Sequence, residues 1–318
     1  MTEPTPALLG GSTPARIAQR YGLATRPKFF TASVLPFLIG SSWGWISAGS
    51  FDLTAFALAL VAVIFVHAAA NVLNDVFDDL NGNDGGNTER LFPYTGGSRF
   101  IQNGVLSNSQ MARWGVLLLV IGVTAGLLLT SYKGIEIIYF GLVGVGLAIL
   151  YSAPPFSLSA RGFGEIAVAI AFGTLPVAGA VWLQTGVLDN DALMVSVPVS
   201  MWVAAILIIN EVPDASADAA VNRKTLVVRF GSSGAKVMYI LVQTTAFAGF
   251  VAMYLQGLIP VWGLAFPAAL LLGTLKVSGG ISGTIDSKLR QSIEQTLAMH
   301  MLGCLWLLAL ITGKAFWW

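Results

Sequence analysis

The feature that most constrains this chain is a series of nine long apolar runs separated by polar connections. They lie near Thr31–Ala48, Leu53–Asn74, Met111–Tyr132, Ile135–Ser152, Gly162–Gln184, Ala192–Asn210, Gly234–Gln256, Pro260–Lys276 and Ile293–Phe316. A hydrocarbon core of about 30 Å is crossed by about 20 helical residues. Within it the backbone must satisfy its own hydrogen bonds, so such runs become helices. The expected fold is therefore all-α: a polytopic membrane protein with a bundle of nine transmembrane helices and cytoplasmic cap loops.

Composition excludes a soluble alternative. The 318 residues are 55% hydrophobic and 10% charged, with mean hydropathy +0.75, whereas a soluble domain carries about 25% charged residues. The net charge of +1 gives no reason to expect a nucleic-acid partner; membrane lipid is the expected surrounding. The lone Cys304 excludes an internal disulfide. With two distant histidines, His67 and His300, it forms no zinc or haem signature. No Walker-type phosphate loop is present. Residues 1–25 lack the charged start and apolar segment of a secretory signal. They are expected to be a flexible arm, with a short surface helix from Pro14 to Leu23, ahead of a single domain over 26–318.

Basic residues orient the bundle. Of the 17 Lys and Arg residues, all but Lys133 and Lys314 fall on one side of the nine-helix arrangement. Positive charge marks the cytoplasmic face, so the long loops are expected in the cytoplasm of what is expected to be a bacterial inner membrane. Trp317 and Trp318 suit an interfacial anchor on the opposite side. Three long polar loops gathered on one face can build a site.

Two acidic segments sit at helix ends on that face. The second run leads into Asn71, Asn74, Asp75, Asp78, Asp79 and Asp84; the sixth leads into Asn210, Glu211, Asp214 and Asp218. Asn71, Asp75 and Asp79 are spaced by four, as are Asn210, Asp214 and Asp218, and that spacing holds side chains on one helical face. Like carboxylates at this interval repel, so two facing stripes call for cations between them. Mg²⁺, which binds one or two carboxylates together with substrate phosphates, meets the need. The pattern points to a diphosphate held through Mg²⁺ between two helix ends. Intramembrane acids also suit a secondary transporter, although these acids lie at one face and not at the midplane.

The motifs Asn74-Asp75-x-x-Asp78 with Asp84, and Asn210-x-x-x-Asp214-x-x-x-Asp218, resemble the two Asp-rich motifs of UbiA-superfamily intramembrane prenyltransferases. Further stretches are similar to the 1,4-dihydroxy-2-naphthoate prenyltransferases of menaquinone biosynthesis: Arg26-Pro27-Lys28, Gly96-Gly97-Ser98-Arg99, Tyr151-Ser-Ala-Pro154-Pro155 with Arg161, and Arg223-Lys224-Thr225. The resemblance implies nine transmembrane helices and transfer of an isoprenoid chain from a prenyl diphosphate to an aromatic acceptor, with Mg²⁺ as cofactor. It implies metal binding by Asp75, Asp78, Asp84, Asp214 and Asp218, and catalytic roles for Asp75, Asp78, Asp214, Asp218, Lys224 and Arg99. Substrate binding falls to Asn71, Asn74, Lys28, Arg161, Arg223, Tyr151 and Asn210, with Arg161 expected at the acceptor. Gly82 stands where benzoate-type members carry a further Asp, and Pro213 departs from the second motif. Other acceptors of the same superfamily, namely 4-hydroxybenzoate, a quinolone or a chlorin, remain alternatives.

Overall fold

The computed structural model describes residues 2–317, with side chains as far as Lys314. The expected anchor residues Trp317 and Trp318 therefore lie outside the described side chains. Among the described residues there are only helices and turns. Eight helices are long and apolar enough to cross a membrane: α1 (Pro27–Ala48), α2 (Leu53–Leu80), α3 (Asn108–Lys133), α5 (Gly164–Thr185), α6 (Asn190–Ala220), α7 (Leu226–Leu255), α8 (Val261–Ser278) and α9 (Ser287–Trp317).

The fourth expected span is the exception. It forms α4, Ile137–Leu150, of 14 residues. At 1.5 Å per residue it is about 21 Å long, shorter than a hydrocarbon core. Its limits are set chemically. Gly134, at φ 117°, ends α3 just before it. Pro154 and Pro155, which cannot continue a helix, follow in the turn after Tyr151.

The pairings α2 with α3, α6 with α7, and α1 with both α5 and α9 dominate the bundle. In a bilayer, helix association depends on close packing, and small residues permit it. At Gly40 of α1 an added Cβ would collide with the Val177 carbonyl of α5, and at Gly44 it would sit 2.8 Å from Gln184 Cβ. Where α5 crosses α6, Gly173 lies against Ser200. Here α5 widens into a π turn over Ile170–Thr174, which moves Ala171 and Phe172 onto the wall of the internal cavity.

The two helices that carry the acidic segments are longer than their apolar runs. α2 has 28 residues and α6 has 31, or about 42 and 46 Å. Both continue past the expected ends at Asn74 and Asn210, so the acidic segments are helical. Pro213 sits inside α6 without ending it.

Residues 2–25, part of the segment expected as a flexible arm, hold to the polar loop between α2 and α3 (81–107, the cap loop). They form two short helices, Pro6–Leu9 and Pro14–Ala24. Glu3 ion-pairs with Arg90 at 2.7 Å and accepts from Asn103 Nδ2 at 3.1 Å. Leu9 and Ala24 are buried against Val72, Phe100 and Met111. These apolar and ionic contacts outnumber what the small, turn-forming residues of this stretch suggest.

Candidate active site

A cavity of about 580 Å³ lies within the bundle, bounded by α1 to α6 and the cap loop. Its depth is apolar, with Val66, Leu127, Phe140, Val145, Phe172 and Leu183 on the walls. Its polar end is built from the last turns of α2 and α6 together with the cap loop. A strand of greasy substrate and a charged head can therefore share one chamber.

On α2 the residues facing this chamber are Asn71, Asn74 and Asp78. Asn74 Nδ2 donates to Asp78 Oδ2 at 3.2 Å and to Ser152 Oγ at 2.8 Å. Asn71 donates to the Thr25 carbonyl at 3.0 Å. Asp75 lies behind the wall, 2% exposed, accepting from the Ser98 amide at 3.2 Å and pairing with Arg26 at 3.5 Å. Asp79 accepts from Gln102 and Asn108 at 3.2 and 2.8 Å. On α6, Asn210, Asp214 and Asp218 all face the chamber. Asp214 accepts from Asn87 Nδ2 at 2.7 Å and from the Gly96 amide at 3.3 Å.

Arg223, in the turn after α6, joins the two segments. One guanidinium nitrogen lies 2.5 Å from Asp78 Oδ1 and Nε lies 3.1 Å from Asp218 Oδ1. Burial disfavours its charge, but Asp78 and Asp218 more than offset this and hold it above the ordinary arginine range.

The cap loop supplies Asp84, 2% exposed. Burial, then the charges of Asp75 and Asp78, push its carboxyl up to about 8. Gly97, at φ 74°, packs on this carboxyl so closely that a Cβ would collide with Asp84 Oδ2. Three of the four non-glycine residues at positive φ border the site: Arg26 at 58°, Arg99 at 66° and Asn222, next to Arg223, at 60°. Such backbone carries strain of about 1–3 kcal/mol each and collects at functional sites.

Divalent metal fits this donor set. Asp84 Oδ2, Asn83 Oδ1 and Asn87 Oδ1 are buried acceptors without a hydrogen-bond partner, which a hard cation would satisfy. Among the described residues, no three acid, histidine or cysteine side chains converge into a complete cage. A magnesium ion that keeps waters and shares phosphate oxygens does not need one.

Of the residues singled out from the sequence, nine line the cavity: Asn71, Asn74, Asp78, Asp84, Tyr151, Asn210, Asp214, Asp218 and Arg223. Five do not. Besides Asp75, Lys28 donates to the Pro93 carbonyl and sits 4.6 Å from the Tyr94 ring centre. Arg99 is buried and donates to the Asp84 carbonyl at 2.5 Å. Arg161 is exposed and donates to the Pro155 carbonyl at 2.7 Å. Lys224 is exposed.

With this geometry in view, the chain can be compared with known proteins. The sequence pattern of the UbiA prenyltransferase family matches residues 33–280. The chain belongs to that family. It is thus an integral, multi-pass membrane prenyltransferase, one that transfers an alkyl or aryl group other than methyl. It is 27% identical over 230 residues to the 1,4-dihydroxy-2-naphthoate octaprenyltransferase of Haemophilus influenzae, covering 70% of this chain and 72% of that one. It is 29% identical over 245 residues to the 2-carboxy-1,4-naphthoquinone phytyltransferase of a Synechocystis strain, covering 76% of each. The fold matches that of a UbiA homologue from Archaeoglobus fulgidus, solved with DMAPP and Mg²⁺. There the TM-score is 0.66 at 16% identity, over 92% of this chain and 99% of that one.

The UbiA fold of this chain also brings forward residues that sequence reasoning passed over. Arg26, Asn83 and Glu211 line the cavity. Arg26 stood beside Lys28 in one motif, and the left-handed backbone at Arg26 is what separates their directions. Glu211 had a legible signal: an acid inside a membrane helix is functional by default.

Proposed function

We propose that this enzyme transfers an isoprenoid chain from a prenyl diphosphate to an aromatic acceptor of the 1,4-dihydroxy-2-naphthoate type, with Mg²⁺ assisting diphosphate departure, as a step of quinone biosynthesis. The observation that carries this reading is a single cavity with Asp78, Asp84, Asp214 and Asp218 at its polar end and an apolar depth beneath them. The dihydroxynaphthoate in the name of the Haemophilus relative, the carboxynaphthoquinone in that of the Synechocystis relative, and the DMAPP and Mg²⁺ of the archaeal neighbour support it. By the charge asymmetry of the loops, the polar end faces the cytoplasm.

Asp78, Asp84, Asp214 and Asp218 would hold the metal, with Asn83 and Asn87 adding neutral oxygens. Bound there, Mg²⁺ supplies charge neutralisation and Lewis acidity to the leaving diphosphate. Arg223 and Arg26 add cationic hydrogen-bond donors for phosphate oxygens. Asn74 fixes the direction of the Asp78 carboxylate through the bond already described. The allylic C–O bond breaks as the ring carbon forms the new C–C bond. With a naphthoate acceptor the ring carboxylate leaves as CO₂. The apolar walls keep water from the cation-like carbon, and the Tyr151 ring face can stabilise it.

The test is an acceptor panel with the full-length protein in lipid nanodiscs, Mg²⁺ and prenyl diphosphates of several lengths. The expected result is prenylated 1,4-naphthalenediol with release of CO₂ and diphosphate from dihydroxynaphthoate and the prenyl donor. Product from 4-hydroxybenzoate, a quinolone or a chlorin alone would reassign the acceptor. No product from any acceptor would reject the reading.

A further inference from the structure

α6 turns two neighbouring stripes toward the cavity. Asn210, Asp214 and Asp218 form one, and Leu207 with Glu211, again four apart, forms the other. Glu211 is 7% exposed and its Oε2 has no hydrogen-bond partner. Across from it Glu165, at the start of α5, is 5% exposed with both carboxyl oxygens unpartnered. The two carboxyls lie within side-chain hydrogen-bonding reach of each other, so a proton shared between them satisfies one oxygen of each and leaves the others open to a donor from a ligand. Asn210 Oδ1, on the adjoining stripe, is likewise buried and unpartnered. Gly164, the residue before Glu165, packs on Leu207 and the Tyr151 ring, where a Cβ would lie 3.6 and 3.7 Å away, and Tyr151 has both Glu211 and Glu165 as electrostatic neighbours.

Buried acceptor oxygens without donors carry a cost that a ligand bringing donors removes. The prenyl diphosphate brings none: its head is anionic and its tail is hydrocarbon. The remaining reactant in prenyl transfer to an aromatic ring has hydroxyl groups, and its flat ring matches the Tyr151 face. Arg161, the residue expected from sequence to bind the acceptor, points elsewhere, to the Pro155 carbonyl.

We propose that Glu211, backed by Glu165 and Asn210, binds a hydroxyl of the aromatic acceptor, which is a phenol or hydroquinone presenting that hydroxyl to the α6 wall beside Tyr151. The inference rests on the aromatic-acceptor reading above. A carboxylate on the same acceptor finds its cationic partners in Arg26 and Arg223 at the polar end of the cavity.

The test uses the Mg²⁺-loaded enzyme in nanodiscs and compares wild type, Glu211→Gln and Glu211→Leu. Three quantities are measured: KM for the acceptor that wild type prenylates, Ki for its analogue lacking one hydroxyl, and KM for the prenyl diphosphate. In wild type the analogue should bind at least about tenfold more weakly than the acceptor, the scale of leaving a buried acceptor oxygen without its donor. Glu211→Leu should raise the acceptor KM by a similar factor, erase the difference between acceptor and analogue, and leave the diphosphate KM within twofold. Glu211→Gln, which keeps one acceptor oxygen, should fall between. If Glu211→Leu does not fold, Glu211→Gln and Glu165→Gln make the same comparison. Retention of the full hydroxyl preference in the variants, or an effect confined to the diphosphate, overturns the proposal while the function stands. Failure of wild type to prenylate any hydroxylated aromatic overturns both.

Discussion

The ends of α2 and α6 carry the same written pattern, an Asn followed by acids at intervals of four, yet they meet the cavity on different terms. On α6 the stripe Asn210–Asp214–Asp218 faces inward throughout. On α2 the matching stripe Asn71–Asp75–Asp79 does not. Asp75 is buried under Ser98 and Arg26, Asp79 is tied to Gln102 and Asn108, and the inward pair is Asn74–Asp78. A one-residue change of stripe is a turn of about 100°. The cause lies in packing, since Val66 and Leu73 of α2 fill the spaces left by Gly122 and Gly115 of α3, which fixes how α2 is rotated. An interval of four thus guarantees a stripe but not its direction.

The sharpest way to break this comparison is to remove carboxylates from the two stripes. Asp78→Ala and Asp218→Ala should each lower turnover at least about a hundredfold, the scale of losing a major electrostatic stabiliser. Asp79→Ala should stay within about threefold, because its partners lie outside the cavity. Equal losses at positions 78 and 79, from initial rates with saturating Mg²⁺, would show that the α2 stripe works as the sequence repeat suggests.

A smaller effect should separate the cap-loop carboxyl from those on the helices. Asp84, pushed up to about 8, is protonated below that pH, and a metal ion must displace the proton. Apparent Mg²⁺ affinity should therefore rise about tenfold per pH unit up to 8 and level off above it. Titration calorimetry on the detergent-solubilised protein would follow this, and Asp84→Asn should flatten the profile.

The smallest effect belongs to the amino-terminal strap. Glu3 and Arg90 are partly exposed, and such pairs contribute about 0.2–1 kcal/mol. Glu3→Ala should lower thermal stability slightly and leave turnover within about twofold. A tenfold loss of turnover would mean that the strap controls the loop carrying Asn87 and Gly96, the two donors to Asp214.

Much of this was legible beforehand. The apolar runs betrayed the helices because a bilayer leaves the backbone no other choice, and clustered acids at one face betrayed the polar end because charge there needs a reason. What composition could not carry was rotation and reach. Position 75 and position 78 are indistinguishable until α2 is seated on α3. Lys28, Arg161 and Lys224 lie near the right loops in sequence, but their side chains bond carbonyls or meet solvent, while Arg26 and Arg223 reach the carboxylates. Glu211 was hidden by its neighbour, since one acid beside a recognised motif looks like part of it. The fourth run was legible as a helix but not in its length, because the apolar residues continue to Ser152, beyond the last helical residue Leu150.

The contact between Gly97 and Asp84 reaches beyond structure into tolerance of genetic change. Three glycines of the cap loop look interchangeable as written. At Gly85 and Gly86 an added Cβ meets nothing within 4 Å, whereas at Gly97 even an alanine methyl would displace the buried carboxylate. A random substitution at codon 85 or 86 therefore spares this contact, and nearly any substitution at codon 97 disturbs a carboxylate to which residue 97 itself contributes no side chain. Inheritance would guard position 97 both for its left-handed backbone and for the space its neighbour occupies.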